Sequence, residues 1–344
     1  MSFINNSFSI SVVLPTYNRI NRIKKCLPSF LKTKVEDVQF IIIDNNSDDG
    51  TWNYLQSVAR NDKRVEIYKN PQNIGATKSI FRGYCEVKAP YALFLSDDDL
   101  MVGDYIARCL QIFSNHDDVS IIHHEFDLWH KSENRYKEPY TIYPKGDDAF
   151  VRMFLLSGSY MGISLRMKNF LLHNFPLGKN VIYPQVKIAN DMVSKYNMAI
   201  INDCGMIATE FGDKLEDVKK DQNRPDCMGI NERLFYAAES KNPLITQRLA
   251  FALARFAIRL FLEIEEVDTK GAKKFIKSLL FTLNNITPYL ILHLFKIKKF
   301  NIAFYCLFHL ILKPSFLINY TWFLLFVFKE IYSKPKKFIR FIFK

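Results

Sequence analysis

Residues 91–99 read YALFLSDDD, and they join a predicted strand to a cluster of charge. The first five residues are mostly apolar, which predicts a strand buried on both faces. A serine and three aspartates, Asp97, Asp98 and Asp99, follow at once. Carboxylates crowded together repel one another and contribute nothing to folding. Their position directly after a buried strand therefore indicates a ligand site rather than a simple turn.

Strands and helices alternate regularly through the first 130 residues. Short β-rich runs occupy 9–15, 38–44, 64–70, 91–95 and 119–129, and segments with helical spacing occupy 19–33, 50–61, 75–88 and 103–115. This alternation predicts βαβ units and an α/β fold, with a mostly parallel sheet covered by helices on both faces. Beyond residue 130 the pattern loosens, and 186–203 predicts one more helix followed by a short strand.

The ends of the first four predicted strands are all polar and turn-forming. They read PTYNR (15–19), DNNSDDGT (44–51), NPQNIG (70–75) and SDDD (96–99). The carboxyl ends of parallel strands share one edge of the sheet, and ligands of such folds bind there. Because a turn needs only one or two such residues, these four stretches predict a ligand site at that edge.

The three aspartates suit a hard divalent cation. Mg²⁺ and Mn²⁺ prefer oxygen ligands, and one or two carboxylates with substrate phosphates usually complete their coordination. Such a cation would remove the repulsion within the cluster and stabilise a diphosphate as a leaving group. The alternative is an acidic cap at a helix N-terminus, for which a single aspartate is enough.

Other residues at the predicted edge suit a nucleotide or a phosphate. Asp44 can accept hydrogen bonds from a base or a ribose. Gly75, which follows Asn73, lets a ligand approach the backbone closely. Lys78 and Arg82 are four residues apart and share one helix face, from which either could reach a phosphate. The alternative for these two side chains is a solvated helix face.

The charge is divided unevenly along the 344 residues. Residues 1–240 carry 29 Lys and Arg against 30 Asp and Glu, whereas residues 241–344 carry 18 against 5. The division predicts a near-neutral globular domain over 1–240 and a separate basic region over 241–344 with its own partner.

The basic region has the composition of a helix that lies on a membrane surface. Its longest uncharged runs, 300–312 and 314–328, hold 13 and 15 residues, and a membrane span needs roughly 20. Basic residues mixed with Phe, Trp and Leu instead predict association with an anionic membrane surface, where residues 334–344 would add about 1 kcal/mol per basic side chain. The alternatives are a helical subdomain or an oligomer interface. No nucleic-acid partner is expected, because bulky aliphatic residues alternate with the basic ones.

Cysteines and the N-terminus favour a location inside the cell. The six cysteines are scattered without a C-x-x-C pair, which is typical of reduced thiols. The first fifteen residues lack the basic segment and long apolar segment of a secretory signal. We therefore expect a cytoplasmic protein, bound peripherally to the inner face of the cytoplasmic membrane.

Four stretches together resemble the family 2 glycosyltransferases of the GT-A fold: SVVLPTYNR (11–19), FIIIDNNSDDGT (40–51), NPQNIGATKSIFRG (70–83) and YALFLSDDDLM (91–101). The resemblance implies a Rossmann-like mixed sheet, a nucleotide-diphosphate-sugar donor, a divalent Mn²⁺ or Mg²⁺ ion, and inversion at the anomeric carbon. The chain looks most like the bacterial enzymes that build surface polysaccharides or lipid-linked glycans.

The resemblance also implies roles for individual residues. The metal motif of the family falls on residues 96–99, and Ser96 stands where the family usually has an acid. The metal ligand would therefore be Asp98 or Asp99, with Asp97 on the ribose and Asp44 on the base. The turn formed by Pro15, Thr16 and Tyr17 matches the nucleotide-binding loop of the family. The full set of residues predicted to bind the donor adds Asn18, Asn73, Gly75, Lys78 and Asp98.

An inverting transfer needs a general base that takes the proton from the acceptor hydroxyl. In the family this is an acid well beyond the metal motif, often in an acidic pair that opens a helix. Here ANDMVSKY (189–196) offers Asp191, with Asn190 in place of the glutamate. The alternative for Asp191 is an ordinary helix N-cap, and Asp203 and Glu210 are reserve candidates for the base.

Two further stretches could take part in function. The small-residue loop around 157–159 could face the acceptor. HHEFD (123–127) looks like a metal cluster, but it lies in a strand pattern, where side chains alternate between faces. A structural role is favoured for it.

The sequence thus predicts transfer of a sugar from a UDP-linked donor to a glycan or lipid-linked acceptor. One alternative is a nucleotidyltransferase that makes sugar nucleotides, which would need a Gly-rich phosphate loop where this chain has PTYNRINR (15–22). The other is a catalytically silent membrane adaptor with the same fold, which the intact Asp44 and Asp97–Asp99 disfavour.

Overall fold

The computed structural model describes residues 8–125, 138–156, 162–170, 172, 175–177 and 184–208. Within these residues ten strands and six helices follow one another along the chain. The strands are β1 (Ile10–Thr16), β2 (Val38–Asp44), β3 (Val65–Lys69), β4 (Tyr91–Phe94), β5 (Asp99–Met101), β6 (Val119–Glu125), β7 (Tyr140–Tyr143), β8 (Ile163–Arg166), β9 (Asn197–Cys204) and β10 (Met206–Ala208). The helices are α1 (Ile20–Leu31), α2 (Thr51–Asn61), α3 (Ala76–Cys85), α4 (Tyr105–Asn115), α5 (Asp147–Leu156) and α6 (Pro184–Val193).

Eight strands form one sheet in the order β3-β2-β1-β4-β8-β6-β9-β7. The pairs among β1, β2, β3 and β4 are parallel, and so is the pair of β6 with β9. β8 runs antiparallel between β4 and β6, and β7 runs antiparallel to β9. The predicted α/β fold with a mostly parallel sheet is confirmed, and the two antiparallel strands make the sheet mixed.

The central strands are apolar because helices cover both of their faces. Every residue of β2, VQFIIID, is buried. Alternate residues of the central strands enter two separate cores: Val12 lies in the core on the α1 and α4 side, and Val13 lies in the core on the α3, α5 and α6 side. The continuous apolar runs of the sequence are therefore those of strands in a covered parallel sheet.

Helix α3 lies unusually close to β1. A Cβ atom built on Gly83 would lie 2.5 Å from Cγ1 of Val13. The absence of a side chain at Gly83 lets the helix rest directly on the strand. This close packing fixes α3 over the centre of the sheet, so that its first turn lies at the carboxyl edge.

The aspartate cluster does not form a simple turn. Asp99 opens β5, which pairs antiparallel with β10 and places Asp99 opposite Ala208. The sequence pattern predicts a polar, turn-forming segment over residues 96–99, and the structure instead has a strand that begins at Asp99. The Asp99 side chain is 1% exposed, so it is much less accessible to a ligand than the Asp98 side chain, which is 23% exposed.

No helix in the described ranges is both long and apolar enough to cross a membrane. The basic region predicted over 241–344 lies outside the described residues. Its boundary and its membrane association therefore stay predictions.

Candidate active site

The polar segments after the first parallel strands meet at one edge, as the alternation of strands and helices predicts. Thr16 and Asp44 are register partners at the ends of β1 and β2. The backbone N–H of Asn45 donates to the carbonyl oxygen of Thr16 at 2.9 Å, and that of Asn70 donates to the carbonyl oxygen of Asp44 at 2.8 Å. The loops after β1, β2 and β3 therefore start side by side.

The loops after β1 and β2 are tied to each other through backbone donors. Asn18 N–H donates to Oγ of Ser47 at 2.9 Å, and Asp48 N–H donates to Oδ1 of Asn18 at 3.0 Å. Ile20 N–H donates to Oδ2 of Asp49 at 3.0 Å. Asn18 adopts a left-handed conformation with φ of +50°. The side chain of Asn18, predicted to bind the donor, thus helps to hold the two loops together.

Tyr17 and Pro15 flank Thr16 at the end of β1, and their side chains differ in solvent exposure. Tyr17 is 42% exposed, one of the few large hydrophobic side chains of the described residues that face solvent. Pro15 is part of β1 and is partly buried. Among the residues of this turn, Tyr17 therefore offers an exposed ring on which a flat ligand could stack.

Asp44 has one oxygen engaged and one without a hydrogen-bond donor. Its Oδ2 accepts from Ser47 N–H at 3.1 Å, whereas Oδ1 accepts no hydrogen bond. The side chain is fully buried. An unsatisfied buried acceptor costs about 1–3 kcal/mol. A base or ribose N–H or O–H would satisfy Oδ1, provided that the residues covering Asp44 move aside.

Three asparagines support the loop between β3 and α3. Nδ2 of Asn70 donates to Oδ1 of Asn45 at 2.9 Å, and Nδ2 of Asn45 donates to Oδ1 of Asn73 at 2.7 Å. The same Asn73 oxygen accepts from Gly75 N–H at 2.9 Å. Gly75 has φ of +83°, which other residues rarely adopt. The Asn73 side chain therefore shapes the backbone, and the exposed Gly75 leaves that backbone open.

The structure separates the roles of Lys78 and Arg82. The Arg82 guanidinium donates to the Lys69 carbonyl oxygen at 3.0 Å, also hydrogen-bonds Asn70, and lies 5.8 Å from the centre of the Tyr68 ring. These contacts make Arg82 a support for the end of β3. Lys78 is exposed in the first turn of α3. Of the two, Lys78 is the side chain placed to reach a phosphate at the edge.

Asp97 is partly buried, and the end of β1 holds it in place. Thr16 Oγ1 donates to Asp97 Oδ2 at 2.7 Å, and Cys26 Sγ donates to the Asp97 carbonyl oxygen at 3.1 Å. Burial and the neighbouring Asp98 raise the pKa of Asp97 to about 6, although the Thr16 hydrogen bond and two arginines, Arg19 and Arg22, act in the opposite direction. Asp97 thus owes its raised pKa first to burial and then to Asp98, and the two arginines offset part of the rise.

Asp98 has the accessible carboxylate of the cluster. Its Oδ2 lies 3.5 Å from Nη1 of Arg22, in the first turn of α1, and Ser96 hydrogen-bonds its Oδ1. The Asp98 side chain is 23% exposed, whereas Asp99 is buried in β5. Between the two predicted metal ligands, the accessibility of the carboxylates favours Asp98.

The residues at this edge fit a divalent cation that also binds a substrate phosphate. Among the described residues no group of three or more His, Cys, Asp or Glu side chains is arranged to hold a metal ion alone. Adjacent carboxylates of Asp97 and Asp98 nevertheless supply the one or two protein oxygens that Mg²⁺ takes when phosphates complete its shell.

Asp191 lies apart from this group. It is in the last turn of α6, not at the opening of a helix, so neither the expected position nor the N-cap alternative is found. Gly146 N–H donates to the Val193 carbonyl oxygen. Only three residues separate the end of α6 from β9, and Asn197, the first residue of β9, lies beside the first residue of β6. The last turn of α6 therefore adjoins the amino ends of the strands. There Asp191 is exposed and pairs with Lys187 at 3.1 Å.

The structure describes only one of the two reserve candidates for the general base. Asp203 lies near the carboxyl end of β9, where its side chain is 75% exposed and 3.6 Å from Nη1 of Arg108. Glu210 and the loop 157–159 lie outside the described residues.

The histidine pair of β6, His123 and His124, is buried among packed side chains. His123 and His124 are fully buried in β6, and the His124 ring meets the Tyr105 ring edge-on at 5.4 Å. A Cβ on Gly205 would lie 2.6 Å from the Tyr105 ring, and one on Gly162 would lie 2.7 Å from the His124 ring. The structural interpretation of this stretch is thereby favoured, while Asp127 lies outside the described residues.

Sequence reasoning missed two residues near this edge. Gln185, in the first turn of α6, is 4% exposed, and its Oε1 accepts no hydrogen bond. Arg22 reaches Asp98 across 76 positions of the chain. Nothing in the sequence distinguishes either residue from an ordinary polar side chain of a helix, because both placements depend on tertiary contacts.

Residues 11–173 match the protein family described as Glycosyl transferase family 2. These residues are a family 2 glycosyltransferase domain. The resemblance carried by the four sequence motifs is confirmed, and the chain therefore carries a transferase domain of the glycosyltransferase class.

Curated relatives are similar to this chain over part of its length. Over 104 residues it is 28% identical to the GalNAc(5)-diNAcBac-PP-undecaprenol beta-1,3-glucosyltransferase of Campylobacter jejuni. The matched stretch covers 30% of this chain and 33% of the relative. Over 112 residues it is 30% identical to the hyaluronan synthase of Pasteurella multocida, covering 33% and 11% of the two chains. The chain thus spans less than half the length of either relative.

Solved structures share the fold of this chain. Residues 1–349 of Staphylococcus aureus TarS, in complex with UDP-GlcNAc, superpose with a TM-score of 0.58 at 14% identity, over 86% of this chain and 89% of that one. The mannosyltransferase PcManGT of Pyrobaculum calidifontis, in complex with GDP-Man and Mn²⁺, gives a TM-score of 0.51 at 11% identity, over 80% of each chain. At these identities the likeness concerns the fold.

Proposed function

We propose that the chain is an inverting, metal-dependent glycosyltransferase that moves a sugar from a UDP-linked donor to a glycan or lipid-linked acceptor. One observation carries the proposal. Asp44, Asp97 and Asp98 come from two separate strand ends and lie at the same sheet edge, within a domain of the glycosyltransferase class. Acids at such an edge serve a bound nucleotide rather than the stability of the fold.

The donor nucleotide would lie across the ends of β1, β2 and β4. Asp44 Oδ1 would accept from the base, and the exposed Tyr17 ring would stack beside it. The open backbone at Gly75 and the exposed Lys78 border the same edge, where an ammonium group would interact favourably with a phosphate. The complex of TarS with UDP-GlcNAc supports a UDP-linked donor as the first candidate to test.

Asp98 would hold the divalent cation, with Asp97 beside it and oriented by Thr16. When bound, the cation would neutralise the charge that develops on the diphosphate as the sugar departs. In the protein alone, burial and Asp98 raise the pKa of Asp97 to about 6, so that Asp97 is still partly protonated near that pH. A positive charge at this edge would lower that pKa and favour the carboxylate form that binds cations.

Inversion in one displacement requires a base that accepts the proton of the acceptor hydroxyl. Two acids are proposed for this role. Asp191 has the sequence position that the family resemblance implies, whereas Asp203 has the favourable place in the fold, near the carboxyl end of β9 and with an exposed carboxylate. Separate exchange of each acid distinguishes them.

The acceptor proposal draws on the relatives and on the charge of the chain. The C. jejuni relative is named for an undecaprenol-linked substrate, and the basic excess of residues 241–344 suits an anionic membrane surface. We therefore place the reaction at the inner face of the cytoplasmic membrane, with a lipid-linked glycan as the preferred acceptor class. A chain cut after residue 240 should lose binding to anionic vesicles, and undiminished binding would contradict this placement.

The central test compares Asp98→Asn with Glu36→Gln, an exchange of an exposed acid in the loop before β2. Release of UDP from UDP-sugars, with and without an acceptor extract, is measured at saturating Mn²⁺. We expect Asp98→Asn to lose at least about a hundredfold in kcat/KM, since even outer groups of metal sites cost 10–100-fold. Glu36→Gln should match the unmodified chain. Equal activity of the two variants, or wild-type activity that survives chelation, would refute the metal-dependent mechanism.

A further inference from the structure

The ion pair between Arg22 and Asp98 occupies the carboxylate that the proposed function assigns to a cation. The two side chains meet at 3.5 Å, and both are largely shielded, at 16% and 23% exposure. In this structure an arginine of the chain itself therefore provides part of the positive charge that the aspartate cluster requires.

An arginine and a divalent cation compete at such a carboxylate. Both are attracted by the same oxygens, and each repels the other at short distance. A cation that binds Asp98 would thus weaken the hold of Asp98 on Arg22. The guanidinium would then lie close to a second positive charge, which repels it.

A diphosphate is the ligand that resolves this repulsion. Arg22 lies in the first turn of α1, where side chains lean toward the N-terminus of the helix and so toward the sheet edge. A phosphate bound at Asp98 through a cation would come within reach of a guanidinium that already contacts the same carboxylate. Guanidinium groups bind phosphate oxygens in pairs through their planar fork, which favours arginine over lysine at such a place.

We propose that Arg22 is an exchangeable counter-ion, which pairs with Asp98 in the absence of ligand and turns to the donor diphosphate when a divalent cation binds Asp98. Arg22 is then a positioning residue for the donor. This inference rests on the proposed function, because it takes Asp98 as the cation ligand. It makes a prediction that the proposed function alone does not make: removal of the Arg22 charge should strengthen cation binding while it weakens nucleotide binding.

The experiment measures Mn²⁺ binding and UDP binding separately, in the full chain, for Arg22→Gln and for the matched control Arg60→Gln. Arg60 is an exposed residue of α2, and its exchange changes the net charge by the same amount. Mn²⁺ alone is titrated by paramagnetic resonance of the free ion, and UDP is titrated by calorimetry at saturating Mn²⁺. We expect Arg22→Gln to bind Mn²⁺ alone about threefold to tenfold more tightly and UDP about tenfold more weakly. Arg60→Gln should change neither affinity.

The possible failures are distinguishable. If the unmodified chain binds UDP only with Mn²⁺ and Arg22→Gln alters neither affinity, the counter-ion proposal is wrong and the proposed function stands. If Arg22→Gln weakens Mn²⁺ binding, Arg22 supports the cation site instead of competing for it, which also overturns the proposal. If neither the unmodified chain nor the variant binds Mn²⁺ with or without UDP, the counter-ion proposal and the metal-dependent mechanism fail together. A third variant, Arg22→Lys, should restore cation competition but not full UDP affinity.

Discussion

Thr16 and Asp97 are 81 positions apart in the chain, and a 2.7 Å hydrogen bond joins their side chains. The bond links the end of β1 to the segment that follows β4, which are neighbouring strands of the sheet. Because Thr16 donates, the bond favours the ionised form of Asp97 and opposes the rise in its pKa that burial and Asp98 cause. Thr16 therefore keeps the Asp97 carboxylate available at neutral pH.

Exchange of Thr16 to Val should raise the pKa of Asp97 further, because valine has the same shape and no hydroxyl donor. The pH dependence of the free energy of unfolding, measured in chelator, should shift its midpoint upward from about 6. Thr16→Ser keeps the hydroxyl and should behave like the unmodified chain. An unchanged midpoint in Thr16→Val would show that the hydrogen bond does not control Asp97.

Asp97 should make the metal-free protein less stable as the pH rises from about 4 to about 6. The folded chain holds this proton more tightly than the unfolded chain, whose aspartates titrate near 3.8. The folded state thus binds more protons in this range, and its stability falls as they leave. Asp97→Asn should remove this dependence and stabilise the chain at pH 7.5 by about 1–3 kcal/mol, with little effect at pH 4. Urea unfolding in chelator at both pH values measures the difference. A variant less stable at pH 7.5 than the unmodified chain would contradict the assigned cause.

The placement of the two candidate bases predicts different effects of their exchange. Asp191 lies on the last turn of α6, which adjoins the amino ends of the strands, so Asp191→Asn should lower kcat less than about tenfold. Asp203→Asn should lower kcat by about a hundredfold or more if this acid accepts the acceptor proton. The pH profile of kcat should lose its acidic limb in the variant that lacks the base. A hundredfold loss in Asp191→Asn, with that limb gone, would return the role to Asp191.

Gly205 should not tolerate a side chain. A Cβ at this position would lie 2.6 Å from the ring of Tyr105, a fully buried side chain whose hydroxyl donates to the Gly162 carbonyl oxygen at 2.6 Å. Gly205→Ala should therefore destabilise the chain by about 1–3 kcal/mol, as overpacked cores do. Urea unfolding measures the loss. Adding Tyr105→Leu to Gly205→Ala should cost less than the sum of the two single exchanges, and strict additivity would exclude the clash.

The helices and strands were largely predictable because their apolar periods differ. A run such as VQFIIID can be buried on both faces only as a central strand of a covered parallel sheet. The order of strands along the chain then placed Asp44 and the aspartate cluster at one edge. These inferences needed only local pattern and a general rule for parallel sheets.

Long-range pairing could not be inferred in this way. The β5–β10 pair places Asp99 opposite Ala208, and no local pattern marks a three-residue strand that begins with an aspartate. The contact of Arg22 with Asp98 depends on how α1 packs on the sheet. Asp191 is predicted as the base from its position in the sequence alone. Which edge of the sheet the last turn of α6 adjoins depends on the pairing of β9, the next strand, with β6. Each of these depends on tertiary contacts that the sequence pattern does not encode locally.

The cross-linked loops after β1 and β2 restrict how such a chain can change over evolution. Asn18, Ser47 and Asp48 form mutual hydrogen bonds through backbone groups, so an insertion in either loop would pull donors away from acceptors in the other. Variation of length is therefore expected to be rare here and frequent in segments without such ties. Divergence between related chains at this edge should take the form of substitutions of outward side chains such as Tyr17, which makes single-residue libraries, rather than loop grafts, the suitable way to redesign this end of the sheet.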